Sequence, residues 1–445
     1  MKITVAPVYI KIRSSLKSIH YRLYFALLIL ALVPTVYTTF RTYWIGQLPD
    51  QWSFSIAGQL SWVNLLYEVL KEAIILPLFF FIGQVKDNKN AFANTVRTGL
   101  LISLGAYAFL SSLLILFADP LLSLMAVDPQ IINATASYIR IESIANVFSI
   151  LMQFILVALV SLNKSKYLYA ITATQFFLTL ATDAFLVSTL PYSLNLGVNG
   201  IGYSNILVNA VLLLLSFHFL SKEGIRIWNK EKPDFAWLKT LFSVGGISGI
   251  ESLVRNLAYM VMISRMVNIV GEQGTYWVAN NFIWNWLLLP VLQLGELIKQ
   301  EIADSKDNIR KNTLSYFILT GIISILWLCS IPLWYPFLTV IVGSTDIDKL
   351  FSLILLLFGF YIPFAFQNVF DATFYGLGKT KYMLFESVVT NTVYYGIAFL
   401  LYLCHLWTPT LMGIALLFGI GNLFDSIVSL LAYRHLLKKE HIQIL

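Results

Sequence analysis

Leu162-Asn-Lys-Ser-Lys-Tyr-Leu168 recurs as Leu377-Gly-Lys-Thr-Lys-Tyr-Met383, 215 residues later. Each copy sits between two long apolar runs. Pro120-Leu-Leu-Ser-Leu124 and Pro336-Phe-Leu-Thr-Val340 match at an offset of 216, and Lys86-Asp-Asn88 and Lys306-Asp-Asn308 at 220. Offsets this constant, across six apolar runs, point to two homologous halves. Six is even, so both halves enter a bilayer the same way round. The repeat is therefore parallel, about an axis along the membrane normal, as in transporters that bind substrate between two halves and rock them.

Outward from the repeat, twelve runs read as helices: 23–45, 54–83, 96–118, 139–161, 168–190, 199–220, 241–270, 276–299, 314–334, 350–376, 382–404 and 409–433. A spanning helix needs roughly 20 mostly apolar residues, and each run supplies them. The chain is 58% hydrophobic and 12% charged, against about 25% charged for a soluble domain. The fold expected is an all-α membrane protein, with twelve transmembrane helices in two pseudo-symmetric six-helix lobes. The lobes are residues 1–220 and 241–445, joined by a cytoplasmic loop, 221–240. Cytoplasmic loops collect Lys and Arg. With the N- and C-termini both cytoplasmic, that side receives 24 of the 30 basic residues and the other side only Lys349. The N-terminal basic residues Lys2, Lys11 and Arg13 and the loop residues Arg226, Lys230 and Lys232 belong to this count. A net charge of +7 is then a topology signal and no sign of nucleic-acid binding.

Several function classes fall away. The first apolar run, Leu23 to Ile45, is too long for a cleavable leader and has no small-residue cleavage site. Cys329 and Cys404 lie in apolar runs and read as small hydrophobes. The five histidines have no metal spacing, no Walker loop offers ATP drive, and no catalytic cluster suggests an enzyme. A receptor is disfavoured by the helix count and by the absence of a sizeable outer domain.

Six short motifs, in order, resemble the multidrug and toxic compound extrusion (MATE) family, within the wider multidrug/oligosaccharidyl-lipid/polysaccharide exporter group. They are Trp44-Ile-Gly-Gln-Leu48, Ile82-Gly-Gln-Val-Lys-Asp-Asn88, Tyr138-Ile-Arg140, Gly197-Val-Asn-Gly-Ile-Gly-Tyr-Ser-Asn205, Gly245-Gly-Ile-Ser-Gly-Ile-Glu251 and Tyr375-Gly-Leu-Gly-Lys-Thr380. The resemblance implies two six-helix lobes around a V-shaped cavity, alternating access, and export of organic compounds in exchange for Na+ or H+ at membrane-embedded acids. No cofactor is implied beyond that ion. The partners expected are a small-molecule or lipid-linked substrate and membrane lipids, with no nucleic acid, and the chain is expected to work as a monomer in the plasma (inner) membrane.

Charges inside a bilayer cost about 2.5–3.5 kcal/mol each on insertion scales and mark function or pairing. Asp183 matches the family's helix-five acid, with Thr179 a turn before it and Asn205 on the next helix. Glu251 and Asp371 complete the ion-coupling candidates. Arg41 stands where the resemblance places a helix-one acid, and is expected either to pair with Asp183 or to bind an anion. Arg255 stands at a helix-seven acid position, a turn from Glu251, and Phe364 at the helix-ten acid. The remaining cavity candidates are Glu68, Lys71 and Glu72, read as a self-neutralising group on helix two, with Arg265, Gln153, Asn209, Asn281 and Gln367. Arg140 and Glu142 are expected near the interface. Tyr67, Trp284, Trp286 and Tyr361 are candidate cavity aromatics. The function expected is cation-coupled antiport of amphipathic organic compounds; the alternatives are a flippase for a lipid-linked glycan or lipid, or an exporter of an anionic metabolite.

Overall fold

The computed structural model describes residues 16–75, 77–78, 81–82, 85, 87–162, 164, 166–225, 227, 233–342 and 346–442. Outside these residues lie Lys2, Lys11, Arg13, Arg226, Lys230 and Lys232, Gly83, Gln84 and Lys86 of the second motif, and Asn163 and Ser165 of the first repeat copy.

Among the described residues the chain is helical with turns and no strands. Among the described residues, each of the twelve expected runs overlaps a helical segment. We number them α1 (Tyr21–Gly46), α2 (Ser53–Leu70), α3 (Lys89–Leu116), α4 (Ile132–Ser161), α5 (Lys166–Leu186) and α6 (Asn199–Lys222). α7 runs through Leu238–Tyr259, Met260–Ser264 and Arg265–Ile269, and α8 through Gln273–Phe282, Ile283–Leu287 and Leu289–Asp304. α9 is Asp307–Phe337, α10 Ile347–Gly376, α11 Lys381–Val389 with Thr390–Tyr395 and Gly396–Leu403, and α12 Leu411–Lys439. Among the described residues eight are long and apolar enough to cross a membrane: α1, α3, α4, α6, α9, α10, α11 and α12. α1 has 26 residues, about 39 Å at 1.5 Å per residue, against a hydrocarbon core of about 30 Å.

Large apolar side chains point outward on many of these helices; Phe109 is 67% exposed and Leu214 70%. Water would penalise so much exposed apolar surface, and lipid removes that penalty. The protein is a multi-pass membrane protein.

Among the described residues, five segments are wound as π turns: Lys71–Ile75 after α2, Met260–Ser264 in α7, Ile283–Leu287 in α8, Leu338–Val342 after α9 and Thr390–Tyr395 in α11. Such turns add one residue to the ladder and often occur at functional sites. A short helix, Ala118–Leu124, follows α3 and was not among the expected runs.

Helix caps follow ordinary chemistry. Asn88 accepts from the Asn90 and Ala91 amides at 3.2 Å at the start of α3, and Thr410 from the Gly413 amide at 3.1 Å at the start of α12. Side-chain oxygens at this position satisfy donors that the helix leaves open.

The chain packs as two compact units. One is Tyr37–Trp277; the other joins Val278–Leu445 to the chain up to Val36. This cut is not the one implied by the repeat, which divides the chain at 221–240. In the first unit, Phe92, Trp62 and Phe154 are fully buried, and α4 packs on both α3 and α6. A Cβ on Gly202 of α6 would stand 2.6 Å from Ile141 of α4. In the second unit, a Cβ on Gly419 of α12 would stand 2.2 Å from the Phe360 ring of α10. Small residues let membrane helices approach this closely.

One expectation is corrected here. α4 starts at Ile132, seven residues before the expected start. Glu142 is therefore three turns into the helix and buried, not at the interface. Arg140, on the other face, pairs with Asp119 at 2.5 Å.

Candidate functional site

Four helices of the Tyr37–Trp277 unit carry polar side chains at helical spacing, and these stripes meet. α1 supplies Tyr37 and Arg41. α4 supplies Glu142, Asn146 and Ser149, and α5 supplies Gln175 and Thr179. α6 supplies Asn205 and Asn209. Positions three or four apart share a helix face, so each stripe forms a wall. Together with Asn64 of α2 they line a cavity of about 260 Å3. Ligand pockets usually measure about 300–1,000 Å3, so this one holds a small solute or one polar part of a larger one.

Arg41 is the centre of the wall. Its Nε donates to Asp183 Oδ2 at 2.7 Å and its Nη2 to Asp183 Oδ1 at 3.0 Å. Nη2 also donates to Asn205 Oδ1 at 3.0 Å. The amide of Asn205 then donates to Glu142 Oε1 at 2.7 Å. The Arg41 side chain is 15% exposed and that of Asp183 1%. A fork-to-fork pair of this kind fixes both groups in position. The carboxylate of Asp183 is thus saturated by a tethered cation, and the guanidinium keeps one edge toward the cavity. Thr179 is buried beside this pair. Gln153 donates to Ser149 Oγ at 3.0 Å and Asn209 to the Ala145 carbonyl at 3.4 Å.

A second cluster in the same unit joins α2 to α7. Arg255 Nη2 lies 2.9 Å from Glu72 and 3.7 Å from Glu68, and its Nε lies 3.8 Å from Glu251. Gly245 and Gly249 make this possible by seating α7 against Ala73. Lys71 was expected to neutralise its two glutamates. It is exposed and makes no ion pair with them among the described residues. Arg265 donates to the Leu124 carbonyl at 3.0 Å, away from both groups.

In the unit built on Val278–Leu445, Gln367 and Asp371 of α10 meet Asp425 of α12. The Gln367 amide donates to Asp425 at 2.6 Å and to Asp371 at 3.3 Å. Trp284 donates to the Tyr361 hydroxyl at 3.2 Å and packs edge-on against Tyr361 and Phe364. Asn281 is partly buried, and its Nδ2 has no partner among the described residues. Tyr67, in the other unit, stacks on Tyr107 and bonds Ser111 at 2.7 Å, which is a core role.

The sequence reading passed over Tyr37, Asn64, Asn146, Ser149 and Gln175 and misplaced Glu142. The signal was present: Tyr138, Glu142, Asn146, Ser149 and Gln153 form one stripe along α4, and Gln175, Thr179 and Asp183 one along α5.

The MatE family model matches residues 81–185. Solved structures match over nearly the whole chain. One, described as the inward-facing conformation of a multidrug resistance MATE family transporter of the MOP superfamily, has a TM-score of 0.76 at 18% identity, covering 94% of this chain and 98% of that one. The outward-facing conformation of such a transporter gives 0.66 at 19% identity, over 94% and 95%. A MOP superfamily transporter from Pyrococcus furiosus Vc1, described as having a binding pocket of reverse polarity that suggests a different function, gives 0.67 at 18% identity, over 96% and 97%. No curated protein matches the chain. The fold is that of the MATE transporters.

Proposed function

We propose that this chain, with its MatE segment and MATE fold, is a secondary active transporter that exports amphipathic organic compounds in exchange for Na+ or H+ by alternating access. The observation that carries the reading is the polar cavity at Arg41, Glu142 and Asn205, built inside a bundle whose outer surface is apolar. A bilayer protein has no structural need for a polar cavity, because every buried polar group there must find a partner. Solute passage supplies the need. Six-helix lobes, cytoplasmic termini, a plasma (inner) membrane location and a monomeric state complete the reading. Asp183 and Glu251 are its leading coupling acids, with Thr179, Asn205 and Asp371 as further candidates. No step in it requires covalent catalysis.

A second reading has its own observation. Arg41 presents a fixed cation to the cavity, and a similar MOP structure is described as having a binding pocket of reverse polarity. A positive wall favours an anionic or zwitterionic solute, including the head group of a lipid-linked glycan.

Two assays separate these. Proteoliposomes loaded with a cationic dye, an anionic dye or a polyprenyl-linked sugar report which cargo moves. Asp183→Asn, purified as folded protein, is expected to lose gradient-driven movement of the cargo that wild type carries. Unchanged movement would remove Asp183 from the coupling site.

A further inference from the structure

α10, α11 and α12 bring three carboxyl groups together in the Val278–Leu445 unit. Each helix also carries a polar side chain four residues from its acid: Gln367 before Asp371, Thr390 after Glu386 and Ser429 after Asp425. Asp371 accepts from Ser429 Oγ at 2.9 Å and from Gln367 at 3.3 Å. Asp425 accepts from Thr390 Oγ1 at 2.7 Å and from the same Gln367 amide at 2.6 Å. Ser426 donates to Gln367 Oε1 at 2.8 Å, which holds the amide nitrogen toward the acids. Glu386 is 4% exposed and lies in the electrostatic field of Asp371 and Asp425. Its Oε1 has no partner among the described residues.

No Lys, Arg or His among the described residues pairs with any of the three. The charged and titratable groups of the packed helices are engaged elsewhere. On α8, Lys299 pairs with Glu296 at 2.6 Å, and Glu301 accepts from Asn312, Tyr316 and the His20 amide. On α12, Tyr433 faces Thr313 and Thr373 and His435 packs on the Tyr382 ring. Beyond the helix ends, Lys379 and Lys306 both pair with Glu440. Asp183 and Glu72, in the other unit, each have an arginine. This cluster has none.

Carboxylates only accept, and one Gln367 amide is shared between Asp371 and Asp425. Three such groups without a counter-cation cannot all be ionised at once. We propose that Asp371, Glu386 and Asp425 together form a proton-binding site, and that the transporter exchanges a coupling proton here, in addition to any coupling at Asp183. The coupling role rests on the transport reading; the proton site does not. Neutral donors from Gln367, Thr390 and Ser429 stabilise whichever carboxylate is ionised. Loss of the proton leaves like charges in contact on three helices, which gives a local drive for α11 to shift against α10 and α12.

The test is infrared difference spectroscopy of the purified chain in lipid nanodiscs, without substrate, titrated in potassium and then in sodium salts. Wild type is expected to show the carbonyl stretch of a buried carboxylic acid at neutral pH, moving in heavy water. Glu386→Gln is expected to lose it, Thr390→Val to shift it, and Asp183→Asn to keep it. Thr390→Val is a near-isosteric change that reports on the site even where the acid variants fold poorly. Absence of the band in wild type, its persistence unshifted in the folded variants, or its removal by sodium at constant pH would each overturn the proposal. A normal band in a chain that moves no cargo would instead count against the transport reading.

Discussion

Asp183 has almost no contact with solvent, and Arg41 is the group that makes its charge tolerable. Removing one partner of a buried ion pair typically costs about 3–5 kcal/mol, whereas replacing both is often close to neutral. Arg41→Gln is therefore expected to lower the melting temperature markedly, and the double variant Arg41→Gln with Asp183→Asn to recover most of the loss. Thermal unfolding followed by size-exclusion chromatography in detergent measures both. Equal losses in the single and double variants would show that the pair is not held as the 2.7 Å geometry indicates. Glu142 plays a different part, because its link to Arg41 runs through the Asn205 amide. Glu142→Gln preserves size and hydrogen-bonding capacity while removing a titratable carboxyl from the cavity wall. It is expected to weaken transport of a cationic dye at least several-fold, read as a higher KM, with the fold intact.

At the scale of helices, close approach is set by glycine. Gly419 of α12 lies under the Phe360 ring of α10, and that packing carries Asp425 to Asp371. Gly419→Ala adds a methyl group where the ring already is. Overpacking of this kind costs about 1–3 kcal/mol, so a drop in melting temperature is expected, with Asp425 displaced from Asp371. At the cytoplasm-facing end of α5 and α6 by the expected topology, Tyr167 donates to Glu223 at 2.7 Å and Lys164 lies 2.9 Å away. The Tyr167 hydrogen bond, followed by Lys164, holds the Glu223 carboxyl below its ordinary range. A group lowered in the folded state stabilises above its unfolded pKa, and that contribution disappears as pH falls through the folded value. Tyr167→Phe should thus raise the Glu223 titration midpoint, measured by NMR of labelled carboxyl carbons; an unchanged midpoint would contradict the assignment.

The helices themselves were legible in the sequence because lipid demands long apolar runs, and each of the twelve runs coincides with helical structure. What periodicity could not supply was the winding inside them. The π turns at Lys71–Ile75 and Thr390–Tyr395 rotate everything beyond them by part of a turn. Nor could periodicity show that Arg255, from a helix far along the chain, pairs with Glu72 and Glu68 while Lys71 stays exposed. The Arg41–Asp183 pair was legible because two opposite charges in apolar runs must find each other. Glu142 was misjudged because the start of α4 was set too late. Glu386 and Asp425 lie in apolar runs, but only packing of α10, α11 and α12 shows that three acids converge without a base.

For the molecule as a whole, the proposed function, solute movement driven by an ion gradient, accounts together for a MATE fold over 94% of the chain, apolar outer surfaces and a polar inner cavity. The most direct test is efflux from proteoliposomes containing wild-type protein, with a proton gradient and then a sodium gradient imposed on the same preparation. The account predicts movement of an amphipathic cargo against its own gradient whenever one of these is applied, and its collapse when an ionophore dissipates that gradient. Folded, correctly inserted protein that moves cationic, anionic and lipid-linked cargo no faster than empty liposomes, under either gradient, would contradict it.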